Sequence, residues 1–298
     1  MSDKPSIIGI GISGLVGSRV LELLGLSYSF IGLSRETNFN IQYPQTVSFS
    51  QYRDASTVIL FAAKADVDAC EVDKPLGIEG EAWKINVEGV RNVIAACQRE
   101  EKKLVYFSTD FVFNGDDTPV GGYTEESRPQ PINWYGETKY QAEEIVKSSG
   151  LDYVIVRPAY PYRAEFTAKK DFVRAILARL QAKQPLKAIT DHYYNPTFID
   201  DIASALDHLL KVHATGIYHV VGSQAVSPFE AALQIAEVFG CDENLIAKTT
   251  RAEYFSGKAQ RPYNLSLNNA KIQQLGVTMR SFDEGLLEMK AQLSNSEN

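Results

Sequence analysis

Gly9-Ile10-Gly11-Ile12-Ser13-Gly14-Leu15-Val16-Gly17 is the stretch whose reading decides the fold. It closes an apolar run, residues 7–12, that reads as a strand, and it opens an amphipathic stretch, residues 15–26, that reads as a helix. Glycines at such a turn meet three needs: a tight turn, close approach of a pyrophosphate to the backbone, and close packing of helix on strand. The helix start then offers unpaired N–H groups and the positive end of its dipole to a phosphate. Glycine turns also serve plain strand-to-helix packing. Here the pattern lies in the first strand–turn–helix unit, the context a dinucleotide fingerprint requires. On that reading Gly11, Ser13, Gly14, Leu15, Val16 and Gly17 contact the cofactor.

Outward from this turn, short apolar runs alternate with helical stretches. Residues 29–33, 57–62, 103–108 and 153–157 read as strands, and residues 79–99 and 135–149 as helices. Ile85, Val90, Val93, Ile94 and Cys97 form the apolar stripe of the first of these helices. Near-uniformly apolar strands alternating with helices imply a parallel sheet buried on both faces. Ligands on such a sheet sit beyond the carboxyl ends of its strands. After Pro158 the pattern changes: helices are expected over 172–182 and 200–212, and a strand over 216–221. Ser227 with Glu230 makes a capping box opening a helix to Phe239. The expected fold is α/β: a Rossmann-like doubly wound parallel sheet over residues 1–158, with a smaller C-terminal α/β substrate lobe over 159–298. The chain is expected to return to the first domain at about residues 190–222, and the tail after Gln292 reads as disordered.

Composition narrows the function classes. The 298 residues are 44% hydrophobic and 22% charged, ordinary for a globular protein. No stretch approaches the roughly 20 apolar residues of a membrane span, and Met1–Ser6 lacks the regions of a signal peptide. Cys70, Cys97 and Cys241 are an odd count without CxxC spacing, which suits a reducing cytoplasm. The four histidines show no metal-ligand spacing. A net charge of −7 argues against nucleic acid and anionic membranes as partners. A homodimer is compatible with all of this.

Two further segments bear on chemistry. A NAD-specific domain usually ends its second strand in a carboxylate for the ribose 2′-OH. Here Ser34 stands at that place, followed by Arg35 and Glu36. A hydroxyl and a guanidinium suit the 2′-phosphate of NADP (NADPH). A solvated loop arginine, or a Glu36 that pairs Arg35 or serves as the ribose acid of NAD, is the other reading. Tyr135-Gly136-Glu137-Thr138-Lys139 sets Tyr135 and Lys139 four apart, on one helix face. A phenol near pKa 10 handles protons at neutral pH only if its anion is stabilised, and an ammonium one turn away does that. A surface helix pair would show the same spacing. Ser108-Thr109-Asp110, ending the preceding strand, adds hydroxyls at a carboxyl edge.

These motifs, with Ala62-Ala63, Asn86-Val87-Glu88-Gly89 and Ser108 to Phe113, resemble the extended short-chain dehydrogenase/reductases. More narrowly, on the run Thr109 to Gly115 and on Asn195 to Ala203, the chain resembles the dTDP-4-dehydrorhamnose reductase family, with Gly216–His219 and Gln260–Leu267 extending the match through the C-terminal lobe. The resemblance implies an NADPH-dependent reductase acting on a keto group of a nucleotide-linked sugar. Tyr135 would donate the proton to the sugar carbonyl. Lys139 would lower the phenol's pKa and hold the nicotinamide ribose, and Thr109 would hydrogen-bond the carbonyl oxygen, with Ser108 a weaker candidate. Ala62, Ala63, Lys64, Asn86 and Ser108 would line the cofactor, Asn86 either as a supporting polar residue or through an internal backbone bond. Thr109, Asp110, Tyr160 and Arg261 would face the substrate, between the two lobes.

The chain departs from the family at two places. Lys64-Ala65 follows the alanine pair where an aromatic and a hydroxyl residue are usual, and Tyr160 stands where a tryptophan is frequent. Lys64 could meet a substrate phosphate or be a solvated loop lysine. Arg261, beside Pro262, reads better as a loop anchor than as a phosphate ligand. A sugar dehydratase would need a glutamate where Phe111 stands, which disfavours that activity. A nucleotide-sugar epimerase remains open, as does a non-catalytic NADP-binding subunit resembling the regulatory one of methionine adenosyltransferase.

Overall fold

In a computed structural model describing residues 4–296, six parallel strands form one sheet in the order β2-β1-β3-β4-β5-β9. The strands are β1 (Ser6–Ile10), β2 (Ser29–Leu33), β3 (Ala55–Leu60), β4 (Lys103–Phe107), β5 (Tyr153–Arg157) and β9 (Gly216–His219). Their side chains alternate between two cores, so both faces must be covered. Ile7, Ile59, Val105 and Val156 pack against α1 (Leu15–Leu24) and α7 (Ile199–Lys211). Ile8, Ile10, Leu60, Tyr106 and Ile155 pack against α4 (Gly89–Arg99) and α5 (Trp134–Lys147). Neighbours of β1 lie on opposite sides in chain order, so the switch point of the sheet falls between β1 and β3.

Between β2 and β3 the chain forms two 3-10 turns, Arg35–Thr37 and Pro44–Thr46, and buries Phe39, Ile41, Val47 and Phe49 in the second core. After β3 come α2 (Val67–Asp73) and α3 (Glu81–Trp83), and α3 runs through a π turn, Lys84–Glu88, into α4. The helix expected over 79–99 is thus one stretch with an inserted residue's worth of slack, and Asn86 sits in it.

The remaining elements build a smaller lobe. Strands β7 (Leu186–Ile189) and β10 (Ile246–Thr249) pair in parallel, as do β6 (Pro161–Tyr162) and β8 (Thr197–Phe198). Helices α6 (Phe172–Gln181), α8 (Pro228–Phe239) and α11 (Phe282–Ser296) pack on them around Tyr162, Phe198, Ile235 and Phe282. Short helices α9 (Arg251–Tyr254) and α10 (Ala270–Gln273) complete the chain. The expected capping box is present: Glu230 N–H donates to Ser227 Oγ at 3.2 Å, and Ser227 N–H to Glu230 Oε2 at 2.7 Å. The tail expected to be disordered after Gln292 instead continues α11 to Ser296, where Gln292 reaches Asp200 Oδ2 at 2.8 Å; residues 297–298 lie outside the described ones. Among the described residues no helix is long and apolar enough to cross a membrane.

Candidate active site

The three glycines of the turn are constrained in different ways. Gly11 has φ +77°, and a Cβ there would lie 2.8 Å from Ala62 N, so this glycine closes the switch point between β1 and β3. At Gly17 a Cβ would lie 2.7 Å from Ile12 Cα, so helix α1 rests directly on the turn. At Gly14 the nearest atom would be Gly11 O at 3.3 Å, tight but without overlap. Packing asks less for glycine there than at Gly11 or Gly17. Gly14 is the N-cap of α1 and no side chain caps it, while Ser13 is exposed and Leu15 and Val16 are half-buried. An uncapped helix start beside open space fits a pyrophosphate.

At the end of β2, Ser34 heads the Arg35–Thr37 turn. The Thr37 hydroxyl accepts from Ser34 N–H at 2.9 Å and donates to Ser34 O at 2.8 Å, which fixes the turn. Arg35 and Glu36 are both exposed, and no ion pair joins them among the described residues. The Arg35 guanidinium is thus free of the Glu36 pairing that the other reading allowed.

Beyond β3, Lys64 is not placed as a phosphate ligand. Its ammonium lies 3.0 Å from Asp73 Oδ2 and 2.6 Å from Glu81 Oε2. Its peptide groups are engaged too: Asn86 Oδ1 accepts from Lys64 N–H at 2.8 Å, and Asn86 Nδ2 donates to Lys64 O at 3.0 Å. The same Nδ2 donates to Thr138 Oγ1 at 3.0 Å. Of the two roles open to Asn86, the structure displays the internal one: it ties the end of β3 to α5.

Helix α5 carries the Tyr–Lys pair. Asn133 caps it, accepting from Gly136 N–H at 2.9 Å and donating to Gln260 O at 3.0 Å. A Cβ at Gly136 would lie 2.2 Å from Phe111 O, so the helix start presses on the loop after β4. That contact brings Tyr135 beside Thr109. Burial raises the phenol well above its usual range, and the neighbouring Thr109 hydroxyl works the other way. Lys139 makes no hydrogen bond to the phenol among the described residues. Its ammonium donates to Phe107 O at 2.7 Å and lies 4.2 Å from the centre of the Tyr106 ring. Burial without a carboxylate partner pushes it down to about 7. Ser108 Oγ is buried and has no partner.

Asp110 is buried, its Oδ1 accepting from Thr109 Oγ1 at 3.0 Å and its Oδ2 left without a partner. Burial raises its carboxyl to about 7. Its charge is felt at Tyr135, Tyr160 and Tyr194, which lie near it beyond the carboxyl end of β4. Tyr160, at φ +41°, stacks on Tyr194 at 3.6 Å between ring centres. Its hydroxyl lies 2.7 Å from His192 Nε2, and His192 Nδ1 lies 2.7 Å from Pro262 O. A carbonyl only accepts, so Nδ1 carries the proton and Tyr160 donates to Nε2. Phe111 meets the Tyr135 ring edge-on at 5.8 Å. Arg261 is anchored, with Asp68 Oδ1 at 2.9 Å and Ala259 O at 2.7 Å. Its guanidinium is committed to the loop, as the Pro262 reading expects, and is not placed as a substrate ligand.

Sequence reasoning missed Asn133, His192 and Tyr194. Asn133 was within reach, since an Asn just before a helix is an N-cap signal. His192 and Tyr194 lie in a segment with no helical or strand period, and only the tertiary fold brings them to Tyr160.

The family model described as RmlD substrate binding domain matches residues 5–295. The chain belongs to this family. The resemblance to extended short-chain dehydrogenase/reductases, and among them to dTDP-4-dehydrorhamnose reductases, is borne out. The chain is 29% identical to the spore coat polysaccharide biosynthesis protein SpsK of Bacillus subtilis, over 97% of this chain and 98% of that one. It is 29% identical to methionine adenosyltransferase 2 subunit beta of Mus musculus, over 70% of this chain and 63% of that one. Among solved structures, dTDP-4-dehydrorhamnose reductase from Bacillus anthracis in complex with NADP superposes with a TM-score of 0.87 and 29% identity, covering 97% of this chain and 99% of that one.

Proposed function

We propose that this RmlD-family protein reduces a keto group on a nucleotide-linked sugar with NADPH, as dTDP-4-dehydrorhamnose reductases are named for doing. The observation that carries the reading is the buried Tyr135–Thr109 pair at the carboxyl end of β4, one strand from the Gly11–Ala62 switch point. The cofactor domain is residues 1–158, with the chain returning to it at about 190–222; the rest of 159–298 covers the sugar, and a homodimer is compatible with this site. A chain of net charge −7 working on a small anionic substrate needs neither membrane nor nucleic acid, and the cytoplasm is its setting.

The Gly14–Val16 turn holds the pyrophosphate, and Ser34 with Arg35 the 2′-phosphate. Bound NADPH supplies a hydride to the carbonyl carbon. Thr109 and Tyr135 hydrogen-bond the carbonyl oxygen, and the Tyr135 proton passes to it as negative charge builds there. A phenol held high in its range remains a stronger acid than an alcohol, so this transfer runs downhill in the direction of reduction. Lys139 holds the ribose and sets positive charge behind the phenol. Asp110 and the Tyr160–His192 pair orient the sugar. Ala62, Ala63 and Ser108 line the nicotinamide side.

The test is NADPH consumption, followed optically, with dTDP-, UDP- and GDP-linked keto sugars. Turnover with one of them, falling about 10²–10⁴-fold in Tyr135→Phe with NADPH binding retained, is the expected result. Tight NADPH binding with no turnover on any of them would move the chain to the regulatory class.

A further inference from the structure

Behind the Tyr–Lys pair stands a second buried charge cluster that the reaction as described does not use. Tyr135, Lys139 and Glu143 follow each other at four-residue spacing on α5 and are all buried. Arg157, at the end of β5, grips Glu143 with both arms of its fork: Nε to Oε1 at 2.9 Å and Nη2 to Oε2 at 2.5 Å. Its remaining nitrogen, Nη1, lies 3.2 Å from His219 Nε2 on β9. Arg157, Glu143 and His219 are each no more than 1% exposed. A pair this dry is expensive to build, because desolvation of both ions offsets most of their attraction. Tying α5 to the sheet could be done by apolar side chains.

We propose that Glu143 is a positioning residue for the Tyr135–Lys139 pair: its carboxylate stands one turn behind the Lys139 ammonium, and the Arg157 fork decides how much negative charge the lysine feels. The inference rests on the catalytic reading of Tyr135 and Lys139 above. Lys139 makes no ion pair among the described residues; its surroundings are Phe107 O and the Tyr106 ring from β4, Cys70 from α2, and Tyr135 and Glu143 from its own helix. Of these, Glu143 is the foremost group opposing the loss of the lysine's charge. Glu143 in turn faces Arg157 from β5, the Tyr106 hydroxyl from β4, and Lys147. The Tyr106 hydroxyl, buried and without a partner among the described residues, feels both Glu143 and Tyr135. The fork draws on the carboxylate's charge; without it the full carboxylate would favour the Lys139 ammonium more strongly.

The direct readout is the titration of Lys139 in the full chain, followed by NMR of lysine labelled with ¹³C at Cε and assigned with Lys139→Met. Glu143→Gln should lower the Lys139 midpoint by about one pH unit, a tenfold change in the ammonium-to-amine ratio. Arg157→Lys keeps the charge but loses the fork, and should move the midpoint upward. Opposite shifts in the two variants support the inference; a midpoint unmoved in a folded variant, or two shifts of the same sign, overturns it. Should Glu143→Gln fail to fold, Arg157→Lys decides alone by the same criterion. The two failures separate cleanly. Lys139 shifts as described in a chain that reduces no sugar remove the catalytic reading only, and normal turnover with an unmoved Lys139 removes this inference only.

Discussion

Replacing Asn86 by alanine strips one carboxamide of three hydrogen bonds: to Lys64 N–H at 2.8 Å, Lys64 O at 3.0 Å and Thr138 Oγ1 at 3.0 Å. Thr138 keeps its other partner, donating to Tyr135 O at 2.9 Å, and Lys64 O keeps only the long contact from the Cys70 thiol at 3.4 Å. The Lys64 amide is therefore stranded and its carbonyl nearly so. A buried group left unsatisfied costs about 1–3 kcal/mol, and Lys64 is only half-buried, so the low end applies to each. The sum, with the small cavity at a side chain that is 1% exposed, is about 2–3 kcal/mol. In a chain of this size that is roughly 3–5 °C in melting temperature. Asn86→Asp should do no better, since it keeps the acceptor for Lys64 N–H but loses both donations. Chemical denaturation gives the stability, and kcat with KM measured alongside should show kcat falling as the start of α5 loosens. A variant Asn86→Ala within about 0.5 kcal/mol of wild type would refute the bridging role. So would one that folds normally and loses only NADPH affinity, because then the carboxamide acts on the cofactor itself.

Three other outcomes follow from the same geometry. Gly14→Ala should fold normally and weaken NADPH, whereas Gly11→Ala should destabilise the fold itself, because only the latter collides with Ala62 and sits at positive φ; thermal melts with and without NADPH separate the two. Arg35→Ala should weaken NADPH about ten- to a hundredfold and leave NADH nearly unchanged, read by calorimetry, and Ser34→Asp should reverse the preference. Stability should fall on acidification from pH 6.5 to 4. Burial holds His192 down to about 4 and His219 down to about 3, while the unfolded imidazoles take up protons near 6.5. Asp110, raised to about 7, works the other way, being protonated in the fold and ionised in the unfolded chain above its usual range. Two protons against one leave a net of about 1.4 kcal/mol per pH unit, roughly 3 kcal/mol over the interval, measurable by denaturation at both ends.

What the sequence made legible was what lies close along the chain. The strand–turn–helix of residues 6–24, the Ser227–Glu230 capping box and the Tyr135–Lys139 spacing are set by neighbours a few residues apart, and periodicity reads them. The π turn at Lys84–Glu88 was hidden because one inserted residue leaves the apolar stripe of α4 intact. Partners far apart in sequence were hidden for a different reason. Arg261 meets Asp68, and Asn133 meets Gln260, only after the C-terminal segment has closed over α2 and α5. No local pattern encodes that closure.

The two departures from the family pattern show what this difference means for substrate choice. Lys64 looked like a charge that could meet a phosphate, and the fold uses it up on Asp73 and Glu81. A lysine whose ammonium is held between two carboxylates has its charge balanced inside the protein, with little left for a phosphate outside it. Tyr160 is the opposite case. A bulky residue at φ +41° sits in a backbone region that costs about 1–3 kcal/mol and persists only where its surroundings over-determine it. Here they do: His192 accepts its hydroxyl, and Tyr194 stacks flat on its ring. That effort is spent beside Asp110, whose second oxygen still lacks a partner. A tyrosine held by a neutral histidine presents a polar edge of fixed direction, where a tryptophan would present one N–H and a broader apolar plate. Of the two departures, Tyr160 is therefore the one we propose for telling this chain's sugar from that of its relatives.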